Sequence, residues 1–196
     1  MRILAIDPGP TECGYVLLKS GVVVEHGVRP VDDMDRESVF DVIHRLLGIY
    51  DGMKTKFVVE MVASYGMAVG IEVFETCFNI GRICEVGERG PYGTSCRIYR
   101  STVKHHLCGS SKAKDANVRQ ALIDRFGPGR EQAIGTKKNP GPLYGISSHC
   151  WAALALAVTY QDLGEACCVD PAREMAAKSA RRQLKREKRK AKEVSK

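Results

Sequence analysis

The first nineteen residues constrain the fold most. An apolar run, Ile3-Leu4-Ala5-Ile6, ends on Asp7, meets Pro8-Gly9-Pro10, and resumes as a second strand-forming run from Cys13 to Lys19. Proline and glycine end a strand sharply, so the Asp7 carboxylate is expected at an open sheet end where a cation or a phosphate can reach it. The alternative is a plain hairpin in which Asp7 only accepts turn hydrogen bonds.

Strand signals fall near residues 2–7, 13–19 and 21–27, with Lys19-Ser20-Gly21 as a tight connection, so an antiparallel meander is expected. Val39, Phe40, Ile43, Leu46, Leu47 and Tyr50 recur at helical spacing, which predicts a helix over about 36–50 that Gly52 helps to stop. A helix after a meander crosses over. The buried run Lys56 to Val62 should then lie parallel to the first strand, bringing Glu60 beside Asp7. Residues 70–88 predict a long helix with Val73, Phe74, Cys77, Ile80, Gly81 and Cys84 along one side, Gly81 allowing close packing. A short strand at 96–99 and helices near 101–107 and 114–126 follow. Residues 128–145, with three prolines and four glycines, read as a long loop. Ser147 and Ser148 offer caps for a last apolar helix through about Gln161.

With 196 residues, 44% of them hydrophobic, the chain can bury one core, expected over 1–165, with a basic tail over 166–196. From Arg173 onward eleven Lys or Arg stand against three Glu, leaving nineteen basic and twenty acidic residues in the body. The excess positive charge is therefore terminal. Arg181, Arg182, Lys185 and Arg186 lie in its densest run and suit a polyanion, nucleic acid above all; a solubilising tail or a localisation signal has the same composition. The eight cysteines show no Cys-x-x-Cys and no regular spacing, so they read as reduced core thiols. No segment is apolar enough to span a bilayer, and a cytoplasmic, nucleic-acid-associated protein is expected.

The order β-β-β-α-β-α-β-α, with acids ending the first and fourth strands, resembles the ribonuclease H-like fold, and within it the RuvC-type Holliday junction resolvases. The resemblance covers about residues 1–162. It is carried by Ile3 to Tyr15, by Val58-Val59-Glu60, by Ser111-Lys112-Ala113-Lys114-Asp115, and by the closing run from Ser147 to Ala157. It implies an α/β fold with a mixed five-stranded sheet and helices on both faces. It also implies a homodimeric, metal-dependent endonuclease that nicks two strands of a four-way DNA junction, using two Mg²⁺ or Mn²⁺ ions and no small-molecule cofactor. The compact size and added tail suit a viral or phage member.

By position, the resemblance makes Asp7 the carboxylate that bridges both metals and Glu60 a ligand of one, with His149 a further ligand or proton-transfer group. Lys104, Lys112 and Lys114 match basic residues that contact DNA near the cut. Tyr65 and Met67 match the loop that wedges into an opened junction, and the helix near 70–88 matches the dimer helix. One position departs from the pattern: Ala152 stands where the closing helix normally carries its last aspartate, on the His149 face. Another acid, Asp115, fills the gap, or the protein keeps only binding, or the alanine was introduced. Asp115 also reads simply as a helix N-terminal acid.

Two rivals remain. Asp7-Pro8-Gly9-Pro10-Thr11 satisfies the Asp-x-Gly-x-Thr phosphate motif of actin-like and sugar-kinase ATPases, although these bind nucleotide between two such domains and this chain has room for one. A non-catalytic junction-binding protein is the second, which Ala152 favours and the basic tail permits.

Overall fold

The computed structural model describes residues 1–48, 55–64, 66–89 and 95–194. Three strands open the chain: β1 (Arg2–Asp7), β2 (Glu12–Lys19) and β3 (Val22–Pro30). Helix α1 (Val39–Gly48) crosses to β4 (Thr55–Met61), and α2 (Ile71–Arg89) crosses to β5 (Cys96–Tyr99). Four helices follow, α3 (Arg100–Cys108), α4 (Asp115–Phe126), the single turn α5 (Arg130–Ala133) and α6 (Cys150–Leu163). A 3₁₀ turn (Gly164–Cys167) then leads to the terminal α7 (Pro171–Val194). Tyr50 and Gly52, read as the end of the first helix, lie outside the described residues.

The sheet order is β3-β2-β1-β4-β5, antiparallel among the first three strands and parallel from β1 through β4 to β5. The period-two alternation of β1 sends Ile3 and Ala5 to one face and Leu4 and Ile6 to the other. On the first face they meet α6, whose Ala153, Leu154, Ala155, Leu156, Ala157 and Val158 are all buried. On the second they meet Val39, Val42, Ile43 and Leu46 of α1 and Ile80 and Ile83 of α2. Both faces are therefore covered, as a sheet with parallel strands requires.

The close-packed glycine of α2 is Gly87, not Gly81. A Cβ on Gly87 would strike the Phe57 ring, whereas Gly81 faces open space. Helix α2 has two different faces. Asn79, Ile80, Ile83 and Gly87 are buried against the sheet, while Ile71, Phe74 and Phe78 stand 70%, 64% and 63% exposed. The loop at 128–145 is more ordered than its composition predicts. It contains α5, a Gly135–Pro140 bridge and two fully buried anchors, Ala133 and Leu143, with Gly141 packed so close to the Ala133 carbonyl that a side chain would not fit. Neither Ser147 nor Ser148 caps α6 through its side chain; His149 occupies the cap position, and the Cys150 N–H donates to the Ser147 carbonyl at 2.9 Å.

The cysteines are not all reduced thiols: Cys96 and Cys168 form a disulfide across 72 residues of sequence, and Cys77 is exposed. Wide separation in sequence hid the pair. Among the described residues, no helix is long and apolar enough to cross a membrane.

Candidate functional site

Asp7 ends β1 and Glu60 lies near the end of β4. The two strands are parallel with Ile6 opposite Val59, so both acids emerge at the same sheet end. They line one cleft of about 740 Å³ with Arg100, Asp115, His149 and Ala152. The turn after Asp7 is pinned from below: the buried Asn79 amide on α2 donates to the Gly9 and Pro10 carbonyls at 3.1 and 3.0 Å. His149 reaches the cleft because Gly14, opposite Asp7 in β2, has no side chain. A Cβ there would sit 2.5 Å from the His149 carbonyl carbon.

The His149 ring lies with Nδ1 3.0 Å from Asp7 Oδ2, and with Asp7 ionised this nitrogen carries the proton and donates it. Burial pushes the Asp7 carboxyl up from its ordinary value, and the bond from His149 opposes it. Glu60 is pushed up to about 7, first by burial and then by the nearby charge of Asp7. Arg100, the first residue of α3, donates to Glu60 Oε2 at 3.0 Å and ion-pairs with Asp115 Oδ1 at 3.0 Å. Lys104, one turn on, reaches the same Asp115 oxygen at 3.1 Å. Burial raises the Asp115 carboxyl, but the hydrogen bonds from Lys104 and Arg100 outweigh it and hold it below the usual range.

A hard divalent cation needs several oxygen donors converging on one point. The donors here do not converge. Glu60 is engaged by Arg100, Asp7 by His149, and Asp115 by two cations, while Ala152 lines the cleft with a methyl group. Among the described residues, the His, Cys, Asp or Glu trio whose ligand atoms come within 4.8 Å of one another is Cys96, Cys167 and Cys168, and two of these are joined as a disulfide. Thiols do not suit Mg²⁺ or Mn²⁺. The expected acidic metal centre of Asp7, Glu60 and His149 is thereby overturned, and with it the reading of the chain as a metal-dependent endonuclease and hydrolase with bound magnesium or manganese.

Lys112 and Lys114 are exposed where the chain enters α4, and Lys114 occupies the helix cap position. Met67 is exposed, whereas Tyr65 lies outside the described residues. Arg181, Arg182, Lys185 and Arg186 lie on α7, with the side chains of Arg182 and Arg186 in solvent. Sequence reasoning missed Arg100, Asn79 and Gly14, and it missed Arg119 stacked 4.6 Å over the Trp151 ring at the cleft wall. For Arg100 a signal existed: a basic residue directly after the strand that pairs with β4.

The five-stranded order, the crossovers and the paired acids at one sheet end decide the architecture. The fold is ribonuclease H-like, of the RuvC type. Thermus thermophilus RuvC in complex with a Holliday junction substrate superposes with a TM-score of 0.52 at 20% identity, over 84% of this chain and 95% of that one. A second Thermus thermophilus RuvC structure gives 0.51 at 20% identity, over 84% and 98%. No protein-family model and no curated protein matches the chain. At this identity the likeness to RuvC concerns the fold.

Proposed function

We propose that this chain is a non-catalytic DNA-binding protein that engages branched, four-way junctions as a homodimer. The observation that carries the reading is the Arg100 ion pair. The guanidinium engages Glu60, where a catalytic metal would need a free carboxylate, and Ala152 supplies no replacement. The same cleft keeps cationic surface suited to phosphate: Arg100 and Arg119 line it, and Lys104, Lys112 and Lys114 lie on or beside the same two helices. A RuvC-type fold supports a junction as the substrate shape, since one of the two superposed proteins is seen with a Holliday junction.

The exposed stripe of Ile71, Phe74 and Phe78 supports pairing of two chains through α2. These residues share one helix face, and a second copy would withdraw them from water. In this reading Met67 approaches the junction centre and the tail adds unspecific affinity along the arms.

Electrophoretic titration of a labelled synthetic four-way junction and a duplex of equal length, with millimolar Mg²⁺ present, tests the reading. Preferential retardation of the junction with no nicked strand on a denaturing gel is expected. Strand nicking, or equal affinity for the two DNAs, overturns it. Phe78→Glu should halve the mass in sedimentation equilibrium and weaken junction binding.

A further inference from the structure

Cys96, Cys167 and Cys168 gather at the edge strand, where β5 begins with Cys96 opposite Val58 of β4 and where the chain leaves the body for α7. Their sulfur atoms are within 4.8 Å of one another, close enough for one ion to be shared by all three. We propose that reduction of the Cys96–Cys168 bond converts this cluster into a three-thiolate site for one soft divalent cation of the zinc class, so that the root of α7 is clasped either by a disulfide or by a metal.

The backbone holds the cysteines in place independently of the disulfide. The Val169 N–H donates to the Arg97 carbonyl at 2.7 Å, extending the edge of β5, and the Cys168 N–H donates to the Glu165 carbonyl at 3.1 Å. Beyond the cluster, Asp170 caps α7 by accepting from the Ala172 N–H at 3.0 Å, and Tyr99 donates to Glu174 at 2.9 Å. Reduction therefore leaves the sulfurs assembled. Cys167 has no disulfide partner; its buried thiol donates to the Gly164 carbonyl at 3.0 Å, and burial raises its pKa. Clefts of about 510 and 220 Å³ flank the cluster, both lined by Cys168 and Asp170, which leaves room for water to complete a tetrahedral shell.

The chemistry balances in two steps. A dithiol supplies two electrons and two protons as the S–S bond breaks, and becomes a disulfide itself. The cation then displaces the thiol protons to solvent as three metal–sulfur bonds form, with no change of oxidation state. In a compartment that keeps thiols reduced, a grouped set of cysteines more often binds metal than stays cross-linked.

The test uses the full-length chain, reduced with dithiothreitol, freed of it by anaerobic gel filtration and titrated with Co²⁺ alone. A thiolate-to-cobalt charge-transfer band saturating at a single ion per chain is expected for the reduced protein and absent from the oxidised one. Cys167→Ser, whose oxidised form keeps the Cys96–Cys168 bond and so reports folding, should weaken cobalt binding by at least about tenfold, the smallest loss that removing even a supporting residue of a metal site brings. Cys77→Ser, outside the cluster, should not change it. No band in the reduced protein, an equal band in the oxidised protein, or equal weakening by the two variants overturns the proposal.

Discussion

Arg100 donates to Glu60 at 3.0 Å, across the point where two parallel strands release their acids. The pair is partly buried, and removing either member leaves the other partly desolvated and without its partner charge. The cleft thus holds its negative charge with a side chain of its own.

Glu60 gives stability a definite pH dependence. In the folded protein burial and the neighbouring Asp7 charge push the Glu60 carboxyl from its ordinary 4.5 up to about 7, so near neutrality it is divided between a protonated form and the carboxylate that pairs with Arg100. Between those values the folded state binds more protons, so this contribution is present in full below 4.5 and is lost as pH rises through 7. At about 1.4 kcal/mol per pKa unit the change is of the order of a few kcal/mol. Glu60→Gln cannot titrate, so urea denaturation should show a flatter stability profile across that window; parallel profiles for variant and parent would refute the assignment.

Ala152→Asp should destabilise the fold by about 1–3 kcal/mol, because it adds a carboxylate to a nearly buried position facing Asp7 and His149. The loss should be larger at pH 8 than at pH 5, where the carboxylates share protons more readily. Millimolar Mg²⁺ should not restore it, since Glu60 stays with Arg100. A rise in melting temperature on adding Mg²⁺ would show that one acid completes a hard-cation site.

Gly14→Ala tests how the cleft is assembled. Its methyl group would meet the His149 backbone at 2.5 Å, so β2 or the start of α6 has to shift. Overpacking of this kind costs about 1–3 kcal/mol. Thermal melting measures the loss, and an unchanged midpoint would mean that α6 is free to slide.

The parts of this fold written in local pattern were legible in the sequence. The alternation of Ile3 to Ile6, the helical spacing of Val39 to Leu47 and the crossover rule together place Asp7 and Glu60 at one sheet end, as observed. What escaped depends on distance in sequence. Asn79 binds carbonyls about seventy residues away, Cys168 meets Cys96 across 72, and no pattern near Gly14 announces His149. The chemistry failed for the same reason. Three acids and a histidine in the right order gave the composition of a metal site, but Arg100 and Lys104, arriving from α3, engage Glu60 and Asp115, and His149 itself engages Asp7.

The tail carries the remaining prediction. Helix α7 runs from Pro171 to Val194, and Met175 and Leu184 are 72% and 52% exposed, so neither of these apolar side chains seats it on the body. From Arg173 to Lys196 eleven basic residues stand against three acidic ones, beside a body of nearly balanced charge. Such a helix binds phosphates by counterion release and does not choose among DNA shapes. Deleting residues 173–196 leaves the Cys96–Cys168 bond and the cleft in place and should weaken duplex and junction binding together. Each lost phosphate contact removes roughly 0.9 from the slope of log affinity against log salt on duplex DNA, so the truncated protein should show a shallower slope. A preference for a junction over a duplex at fixed salt should persist, because the proposed function assigns it to the cleft and to a pairing of α2 helices. Paired salt titrations on one junction, with and without the tail, decide the point. Equal slopes would remove the tail from DNA binding and leave solubility or localisation as its role.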